Sequence, residues 1–285
     1  MLKKLNIFIK TLVAGLVRLI SKTKIGAYGF EQVLNNAMQV TQSVKHGQTE
    51  LVFTVPNQLN RFRINTFSSK EPETLEWIDS IPEGTVLWDV GANVGLYSCY
   101  AAKSRHCRVF SFEPSVFNLE LLARNIFIND LVDRVTIVPL PLSNSLHVNT
   151  LNMTSTDWGG ALSTFGKSYG DDGKTMTKIF EFSSVGMPMD EVVRLLNIPQ
   201  PQYIKMDVDG IEHLILVGGQ TVLQKTLGLI IEVNEDFDEQ AINVAKYCKE
   251  AGLVFKEKRH SVMFDNNERF GQTYNQIWYR PKAQE

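Results

Sequence analysis

Cysteine is scarce in this sequence: 285 residues contain three, Cys99, Cys107 and Cys248, at wide spacing. An odd number of cysteines without short repeated spacings argues against a disulfide framework and against the common zinc motifs. Isolated thiols of this kind are typical of a reducing compartment. The sequence also lacks internal repeats and low-complexity tracts. We therefore expect a globular, cytoplasmic protein.

Acidic residues are missing from the first 30 positions, which carry six lysines and arginines. Apolar residues recur there at helical spacing, which predicts an amphipathic helix over residues 2–21. Lys10 and Arg18 interrupt the apolar run, which is too short to span a bilayer that needs about 20 apolar residues. No small-residue cleavage site follows, so the pattern is not typical of a secretory signal.

Two interpretations of this basic helix are open. In the first, residues 1–24 lie on the inner face of a membrane, with the basic side chains toward anionic lipid. In the second, the helix packs on the main domain or on a partner chain. Residues 1–49 are predicted to form this N-terminal helical extension. A net charge of −2 over the whole chain gives no indication of a nucleic-acid partner.

Residues 50–285 are predicted to form the main domain. Residues 50–84 are expected to hold two strands (50–57 and 60–67) and a helix (71–81). From residue 85, strands alternate regularly with helices, which predicts an α/β fold with a Rossmann-like, mostly parallel, doubly wound sheet. "LVFKEKR" and "NQIWYR" close the chain without a helix between them, which predicts a C-terminal hairpin with an antiparallel strand at the sheet edge. Residues 143–188, rich in Gly, Ser and Asp, are expected to be a long loop insertion containing one short strand.

A glycine-containing turn, "LWDVGANVGLYS" (87–98), follows the first strand of this alternation. Gly91 permits a tight turn, Gly95 permits close packing of the next helix, and Asn93 tolerates a left-handed conformation. The G-x-G-x-x-G fingerprint of dinucleotide-binding proteins is absent. An acid at Asp89 repels a pyrophosphate but suits a sulfonium, and Glu113 can accept the hydroxyls of a ribose. The pattern therefore favours S-adenosylmethionine over NAD as the cofactor.

Several segments in the same order resemble the FkbM family of S-adenosylmethionine-dependent methyltransferases. They are "EPETLEWID", "WDVGANVGLYS", "FEPS", "RNIFIN", "LSN" and "IKMDVDGIEHLILVGG". The resemblance implies a class I methyltransferase fold, with Asp89, Gly91, Asn93 and Gly95 shaping the cofactor turn. It further implies that Glu113 holds the ribose, with Pro114 near the adenine and Ser143 lining the adenine pocket. Asp209 departs from the family pattern, which more often has Glu there.

The predicted reaction is the transfer of a methyl group to a hydroxyl of a sugar, a glycolipid or another small acceptor. Asp207 and Glu232 stand at the ends of two strands expected to be neighbours, where catalytic groups collect. Two mechanisms are open: either acid acts as general base without metal, or Asp207, Glu232 and Asn234 hold Mg²⁺, which prefers oxygen ligands.

The "WGGALSTFG" loop (158–166) is the candidate for acceptor contacts, with Trp158 and Phe165 stacking on a ring and Ser163 and Thr164 supplying hydrogen bonds. Three alternative functions remain at this point. They are an NAD-dependent oxidoreductase, a non-catalytic S-adenosylmethionine-binding module and a membrane-associated scaffold.

Overall fold

The computed structural model describes residues 2–265, 267 and 269–281 of the chain. The helices are α1 (Leu2–Ile20), α2 (Lys24–Ala37), α3 (Gln58–Asn65), α4 (Phe67–Lys70), α5 (Pro72–Ser80), α6 (Leu96–Ser104), α7 (Val116–Ile128), α8 (Met189–Leu196), α9 (Glu212–Val217), α10 (Gln220–Leu223) and α11 (Asp238–Glu250). The strands are β1 (Thr41–His46), β2 (Thr49–Thr54), β3 (Val86–Val90), β4 (Arg108–Phe112), β5 (Val135–Val138), β6 (His147–Met153), β7 (Ser163–Phe165), β8 (Phe180–Gly186), β9 (Tyr203–Met206), β10 (Gly228–Asn234), β11 (Val254–Arg259) and β12 (Thr273–Tyr279). Over these residues, no helix combines the length and the apolar character that crossing a membrane requires.

The N-terminal region differs from the sequence prediction in two places. A strand, β1, lies within residues 1–49 and forms an antiparallel hairpin with β2, so the helical part of the extension ends at Ala37. The strand predicted over residues 60–67 is wrong, because α3 covers most of that segment. The Asn57 side chain accepts a hydrogen bond from the amide of Asn60 at 2.9 Å. This cap satisfies a free amide at the start of α3 and favours the helix.

A seven-stranded sheet in the order β11-β12-β10-β9-β3-β4-β5 forms the centre of the domain. Strands β10, β9, β3, β4 and β5 are parallel, and β12 is antiparallel to both of its neighbours. The predicted Rossmann-like, mostly parallel fold with a C-terminal antiparallel strand is confirmed. The antiparallel strand lies one position in from the edge, however, because the largely exposed β11 occupies the edge itself.

Alternate residues of the parallel strands pack into two hydrophobic layers, one on each face of the sheet. Trp88 of β3 and Phe112 of β4 belong to one layer, with ring centroids 5.0 Å apart, while Leu87 and Val109 belong to the other. Burial on both faces explains why these strands are almost continuously apolar. A side chain that is polar in such a strand must therefore reach the strand end or find a buried partner.

Residues 143–188 form a three-stranded antiparallel sheet with the order β7-β6-β8, instead of the expected loop with one strand. Leu151 of β6 and Phe165 of β7 are buried in the main core, and they are directly paired across the two strands. The small residue Gly186 gives the Phe165 ring its space, since a Cβ there would lie 2.2 Å from Cε1 of the ring. The insertion thus packs against the domain through a few apolar side chains, although many of its residues are polar.

The sheet changes direction of growth between β3 and β9. The chain adds β4 and β5 on one side of β3, then crosses over to place β9 on the other side. Val90 at the end of β3 pairs with Met206 at the end of β9. In open α/β sheets the crevice outside such a switch point is where ligands bind. The residues that follow Val90 and Met206 are therefore the first to consider for a site.

Candidate active site

The turn after β3 has the backbone conformation that its sequence suggested. Gly91 and Asn93 have positive φ values of 82° and 50°. A Cβ on Gly91 would lie 1.8 Å from the carbonyl oxygen of Asp207, so only glycine lets the ends of β3 and β9 approach this closely. A Cβ on Gly95 would lie 2.4 Å from Leu122 of α7. The close packing at Gly95 is therefore with that helix and not with the sheet.

Glu113, at the end of β4, points its carboxylate at this turn. Oε2 accepts a hydrogen bond from the amide of Asn93, and Oε1 accepts one from the amide of Ser115, both at 2.8 Å. Burial raises the pKa of Glu113 to about 7, although these two amides act in the opposite direction. Each carboxylate oxygen retains acceptor capacity for a further donor, such as a hydroxyl.

Lys205 is the charged residue inside the otherwise apolar β9. Its ammonium lies 3.5 Å from Oδ1 of Asp89 and 3.4 Å from Oδ2 of Asp207. Burial would lower the pKa of Lys205, but Asp207 and Asp89 raise it above its usual range, so the ammonium keeps its charge. Lys205 therefore forms ion pairs with acids of two neighbouring strand ends.

Asp89 is buried beneath the turn and does not line the cavity described below. Its Oδ2 accepts a hydrogen bond from the Ser98 hydroxyl at 2.5 Å, and it is 1% exposed. Asp89 therefore holds α6 and Lys205 in place. The sequence had instead suggested that it attracts the sulfonium directly. Gly95 is likewise outside the cavity wall.

A cavity of about 320 Å³ opens outside the ends of β3, β4, β9 and β10. Four of the predicted cofactor residues, Gly91, Asn93, Glu113 and Pro114, line it together with both predicted catalytic acids, Asp207 and Glu232. Apolar side chains such as Phe112, Leu142 and Ile215 complete much of the wall. The donor set and this mixed lining fit a nucleoside with a charged tail: Glu113 is available for a ribose, and Pro114 and Leu142 offer apolar surface for a base.

Glu232, two residues before the end of β10, enters the cavity without a side-chain hydrogen bond or salt bridge in the described part of the chain. Burial raises the pKa of Glu232 well above its usual range, and the nearby Asp207 and Glu71 raise it further. Glu71 is paired with Lys70 at 2.6 Å. An unpaired carboxyl of high proton affinity beside Asp207 is suited to accepting a proton from a bound substrate.

A segment of the insertion, residues 157–163, crosses the cavity and contributes to its wall. The carbonyl of Gly160 accepts hydrogen bonds from the side chains of Asn93 at 2.8 Å and Asn118 at 3.0 Å. Oδ2 of Asp209 accepts bonds from the amides of Leu162 and Ser163 at 2.7 and 3.1 Å. This segment is thus tied to the cofactor turn and to the end of β9. Sequence reasoning did not find this role for Asn118 or Asp209, because the partners are backbone groups of a distant segment.

More polar contacts hold the outer side of this segment to α3 and its cap. The carbonyl of Trp158 accepts from the side-chain amides of Asn57 and Asn60, at 2.9 and 2.7 Å. The carbonyl of Gly159 accepts from Arg63 at 2.6 Å. The insertion is therefore held beside the cavity by hydrogen bonds from side chains of residues 57–63 to its backbone carbonyls.

Of the four residues predicted for acceptor contacts, Ser163 and Phe165 line the cavity, and Trp158 and Thr164 do not. The Trp158 ring packs beside Val94 and Leu121 on the other side of the segment. Thr164 is fully buried, and its hydroxyl bonds to carbonyl groups of the insertion. The predicted stacking of Trp158 on an acceptor is therefore not supported by its position.

Ser143 also lies outside the cavity wall, which Leu140, Pro141 and Leu142 form in its place. The sequence prediction for Ser143 came from its position after the third strand. The side chain instead bonds to Asn144. The prediction that Ser143 lines the pocket therefore does not agree with its position, and the three preceding residues form the wall there.

The predicted Mg²⁺ ligand set does not converge. Asn234 is buried away from the cavity wall, and its Oδ1 accepts a hydrogen bond from the amide of Asp236 at 3.0 Å. Asp207 faces the Lys205 ammonium, whose charge repels a dication. No group of three His, Cys, Asp or Glu side chains with the geometry for a metal ion occurs among residues 2–265, 267 and 269–281. The donors present do not fit the magnesium site.

Two other ionisable residues near the site, Glu212 and His213, contact the protein and not the cavity. The fully buried Glu212 accepts hydrogen bonds from the amides of Val208 and Gly210 at 2.9 and 3.1 Å, and from the side chain of Gln240. It therefore holds the turn between β9 and α9. His213 is buried beside Phe237 and does not line the cavity.

Comparison with known proteins identifies the fold and the family. A solved FkbM methyltransferase from Methylobacillus flagellatus superposes with a TM-score of 0.51 at 14% identity, covering 87% of this chain. This chain spans 58% of that protein. The hexuronic acid methyltransferase AglP of Haloferax volcanii is 27% identical over 201 residues, which are 70% of this chain and 77% of AglP.

A shorter similarity of 33% over 78 residues, covering 27% of this chain and 29% of the relative, links the chain to the methyltransferase sdnD of Sordaria araneosa. Residues 89–260 match the model of the FkbM methyltransferase domain. That range contains Gly91, Glu113, Asp207 and Glu232, so it includes most of the cavity's polar residues. The match favours methyl transfer over the oxidoreductase alternative. This chain belongs to the FkbM methyltransferase family.

Proposed function

We propose that this protein is an S-adenosylmethionine-dependent O-methyltransferase whose acceptor is a hydroxyl of a sugar, a glycolipid or another small molecule. The observation that carries the proposal is the placement of Glu232, Asp207 and Glu113 in one partly apolar cavity outside the switch point of the sheet. The name of the relative AglP, a hexuronic acid methyltransferase, supports a sugar acceptor. Acidic side chains predominate over basic ones in the wall, which makes the cavity unfavourable for the phosphates of a nucleic acid.

Glu113 would hold the ribose, and Gly91, Asn93, Pro114 and the wall at Leu142 would shape the rest of the nucleoside pocket. When bound, S-adenosylmethionine supplies an electrophilic methyl group on a positively charged sulfur. Asp207, held by Lys205 at the end of β9, would place a carboxylate near that charge. Alignment of the two reactants within such a cavity can supply much of the rate.

Glu232 would act as the general base. Glu232 would take the proton of the acceptor hydroxyl as that oxygen receives the methyl group, and would then release the proton to water. The products are the methyl ether and S-adenosylhomocysteine. Glu232 has no side-chain partner among the described residues, which supports this role because a base must be free to receive the proton. The 157–163 segment would exclude water from the reacting groups.

The test is the formation of S-adenosylhomocysteine from S-adenosylmethionine in the presence of a panel of hydroxylated acceptors, with Glu232→Gln as the matched variant. The wild-type protein should form it only with an acceptor present, and the methylated product should carry a new O-methyl group. Methylation of an amine or a carbon centre, or full activity in Glu232→Gln, would contradict the proposal.

We also propose that α1 lies on the surface of an anionic membrane. Leu12, Leu16 and Leu19 are 54%, 51% and 65% exposed on this helix. Arg18 in its last turn and Lys22 and Lys24 just after it place positive charge beside the apolar stripe. This combination is typical of helices that lie in the headgroup region. A membrane-bound acceptor such as a glycolipid would then be presented near the protein.

A further inference from the structure

One part of the cavity wall has no role in the reaction as proposed. It is formed by Glu73 of α5, Thr273 and Asn275 of β12, and Phe264 and Phe270 from the segment before β12. We call these five residues the β12 wall. They come from regions far apart in the sequence, and Glu73 and Asn275 are joined by a hydrogen bond at 2.8 Å.

The strand register places the polar part of the β12 wall beside Glu232. Asn275 of β12 is directly opposite Glu232 of β10 in the antiparallel pair. Directly opposed residues project to the same face, with Cβ atoms about 4.5–5.5 Å apart. Thr273 is two residues from Asn275 and so shares that face. An acceptor whose hydroxyl reaches Glu232 would therefore have the rest of its ring next to the β12 wall.

Two buried polar atoms of the β12 wall have no hydrogen-bond partner in the part of the chain that the structure describes: Oε2 of Glu73 and Oγ1 of Thr273. The two residues are 1% and 7% exposed. A buried polar atom without a partner costs about 1–3 kcal/mol, and such atoms are rare in native proteins. Both side chains belong to the cavity wall, so a ligand seated there would supply polar groups that complete these bonds once the side chains turn toward it.

The remainder of the β12 wall is aromatic. The rings of Phe264 and Phe270 are 6.0 Å apart at 68°, and Phe62 lines the same cavity with half of its surface exposed. Flat apolar faces next to buried hydroxyl and carboxyl groups suit a ligand with one apolar face and a polar rim. A pyranose ring has this shape, with C–H groups on its faces and hydroxyls around its edge.

The charges around the cavity restrict the ligand further. Among the residues that the structure describes, six carboxyl side chains line the cavity: Glu71, Glu73, Glu113, Asp207, Asp209 and Glu232. Among the described residues, the basic side chains that line it are Arg63, Lys70 and His260, and they are engaged with the carbonyl of Gly159, with Glu71 and with Asp265. A ligand with a carboxylate next to the β12 wall would be repelled by these acids. No unengaged basic side chain among the described residues would pair with it.

We propose that the β12 wall is the acceptor subsite and that it binds an uncharged sugar ring, whose hydroxyls bond to Thr273 Oγ1 and Glu73 Oε2 while Phe264 and Phe270 cover a ring face. This inference rests on the proposed O-methyltransferase function and narrows its acceptor class. It separates the protein from its relative AglP, which is named for a hexuronic acid.

The first experiment measures binding of methyl glycosides to the full chain with S-adenosylhomocysteine present. Methyl glucoside, galactoside and mannoside are each paired with the uronate that differs only in oxidation of the terminal carbon. Saturation-transfer NMR should show binding of at least one neutral glycoside and weaker binding of its uronate. Preference for the uronate, or no binding of any neutral glycoside, would overturn the subsite.

The two proposals fail in different ways in this experiment. If a uronate binds and is O-methylated, the proposed function stands and the uncharged-sugar subsite is wrong. If no glycoside of either kind binds but another hydroxyl compound is methylated, the subsite is again wrong and the function stands. If methylation occurs only on nitrogen or carbon, both are wrong.

A pair of variants tests the wall residue by residue. Thr273→Val removes the Oγ1 that has no partner, so the melting temperature should stay equal or rise while the dissociation constant of the neutral glycoside rises about three- to tenfold. Thr74→Val is the matched control, because Thr74 Oγ1 is also buried without a partner among the described residues, while Thr74 does not line the cavity. It should leave glycoside binding unchanged. Wild-type glycoside affinity in Thr273→Val, or an equal loss in both variants, would contradict the assignment.

Discussion

The ammonium of Lys205 lies 3.4 Å from Oδ2 of Asp207, the residue two positions further along the chain. This ion pair lies where β9 ends and the cavity begins, so Asp207 is paired with a cation of the protein itself. The arrangement accounts for a lysine inside a buried strand. It also leaves Asp207 as a fixed negative charge beside the position that we propose for the reacting methyl group.

Asp207→Asn should reduce turnover and weaken binding of the positively charged S-adenosylmethionine more than binding of S-adenosylhomocysteine, whose sulfur is uncharged, while the fold is retained. The substitution keeps the size of the side chain but removes the negative charge that we place beside the reacting methyl group, and we expect turnover to fall by about a hundredfold, the scale of a lost electrostatic contact at a reacting centre. Steady-state kinetics and calorimetric titration measure the two quantities. Asp133→Asn, at an exposed position, is the matched control. Full turnover in Asp207→Asn would remove this residue from the mechanism.

Wild-type activity should persist after treatment with EDTA. The predicted magnesium ligands do not converge, since Asn234 bonds within its own turn and Lys205 occupies the side of Asp207 that faces Asp89. The measurement is the rate of S-adenosylhomocysteine formation before and after chelation, with added Mg²⁺ as the second arm. Loss of activity that Mg²⁺ restores would show that the acids are ligands after all.

The pH dependence of turnover should report Glu232. Burial and the nearby Asp207 raise its pKa well above the usual range of a glutamate. A general base must be deprotonated, so turnover should rise as the pH rises through the pKa of Glu232 and fall below it. Glu232→Gln should lower turnover by about a hundredfold and abolish that rising limb. A variant that keeps the wild-type pH profile would show that another group accepts the proton.

The stability of the ligand-free protein should decrease as pH rises from about 4.5 to about 7. Burial raises the pKa of both Glu113 and Glu212 from 4.5 to about 7. Within this window the folded state holds protons that the unfolded chain has released, and stability falls with pH when the folded state binds more protons. Melting temperatures across the window measure the effect, and Glu113→Gln should make the curve flatter. A melting temperature that rises over this range would contradict the assigned shifts.

The sheet and the turn at residues 89–95 were predictable because their signals are local. Apolar runs separated by helical periods identify β3, β4, β5, β9 and β10, and Gly91 and Asn93 are residues that accept positive φ values. The place of Asp89 could not be read in the same way. Whether an acid at a strand end faces a ligand or a buried lysine depends on the neighbouring strand, and that neighbour, β9, comes more than 100 residues later.

The structure of the insertion, residues 143–188, also depends on contacts between distant parts of the chain. Its composition is typical of a loop, but Leu151 and Phe165 reach the main core and fix an antiparallel sheet. Asn118 and Asp209 accept hydrogen bonds from backbone amides of residues 159–163. Every residue type except proline has such an amide, so the sequence of the segment does not predict these bonds. The β12 wall also depends on strand register, which brings Asn275 beside Glu232 from 43 positions away in the sequence.

Deletion of residues 1–24 should reduce co-sedimentation with liposomes that contain anionic lipid. The exposed leucines and basic residues of this segment supply both the apolar and the charge attraction, so added salt should weaken the binding by screening. Leu12→Ser combined with Leu16→Ser is the milder variant, which keeps the charge. Unchanged sedimentation of both variants, or unfolding of the truncated protein, would favour a helix that packs on protein.

The most direct test of the account is calorimetric titration of the wild type and Glu113→Ala with S-adenosylmethionine. Glu113 is buried at the cofactor turn and, in this account, accepts the ribose hydroxyls. The variant should bind more weakly by about 1.5–3 kcal/mol, the scale of lost hydrogen bonds to a charged acceptor. Glu120→Ala, on the exposed side of α7, should bind like the wild type. Measurable binding by the wild type with the predicted loss in Glu113→Ala would support the cofactor site; equal affinities, or no binding by the wild type, would contradict it.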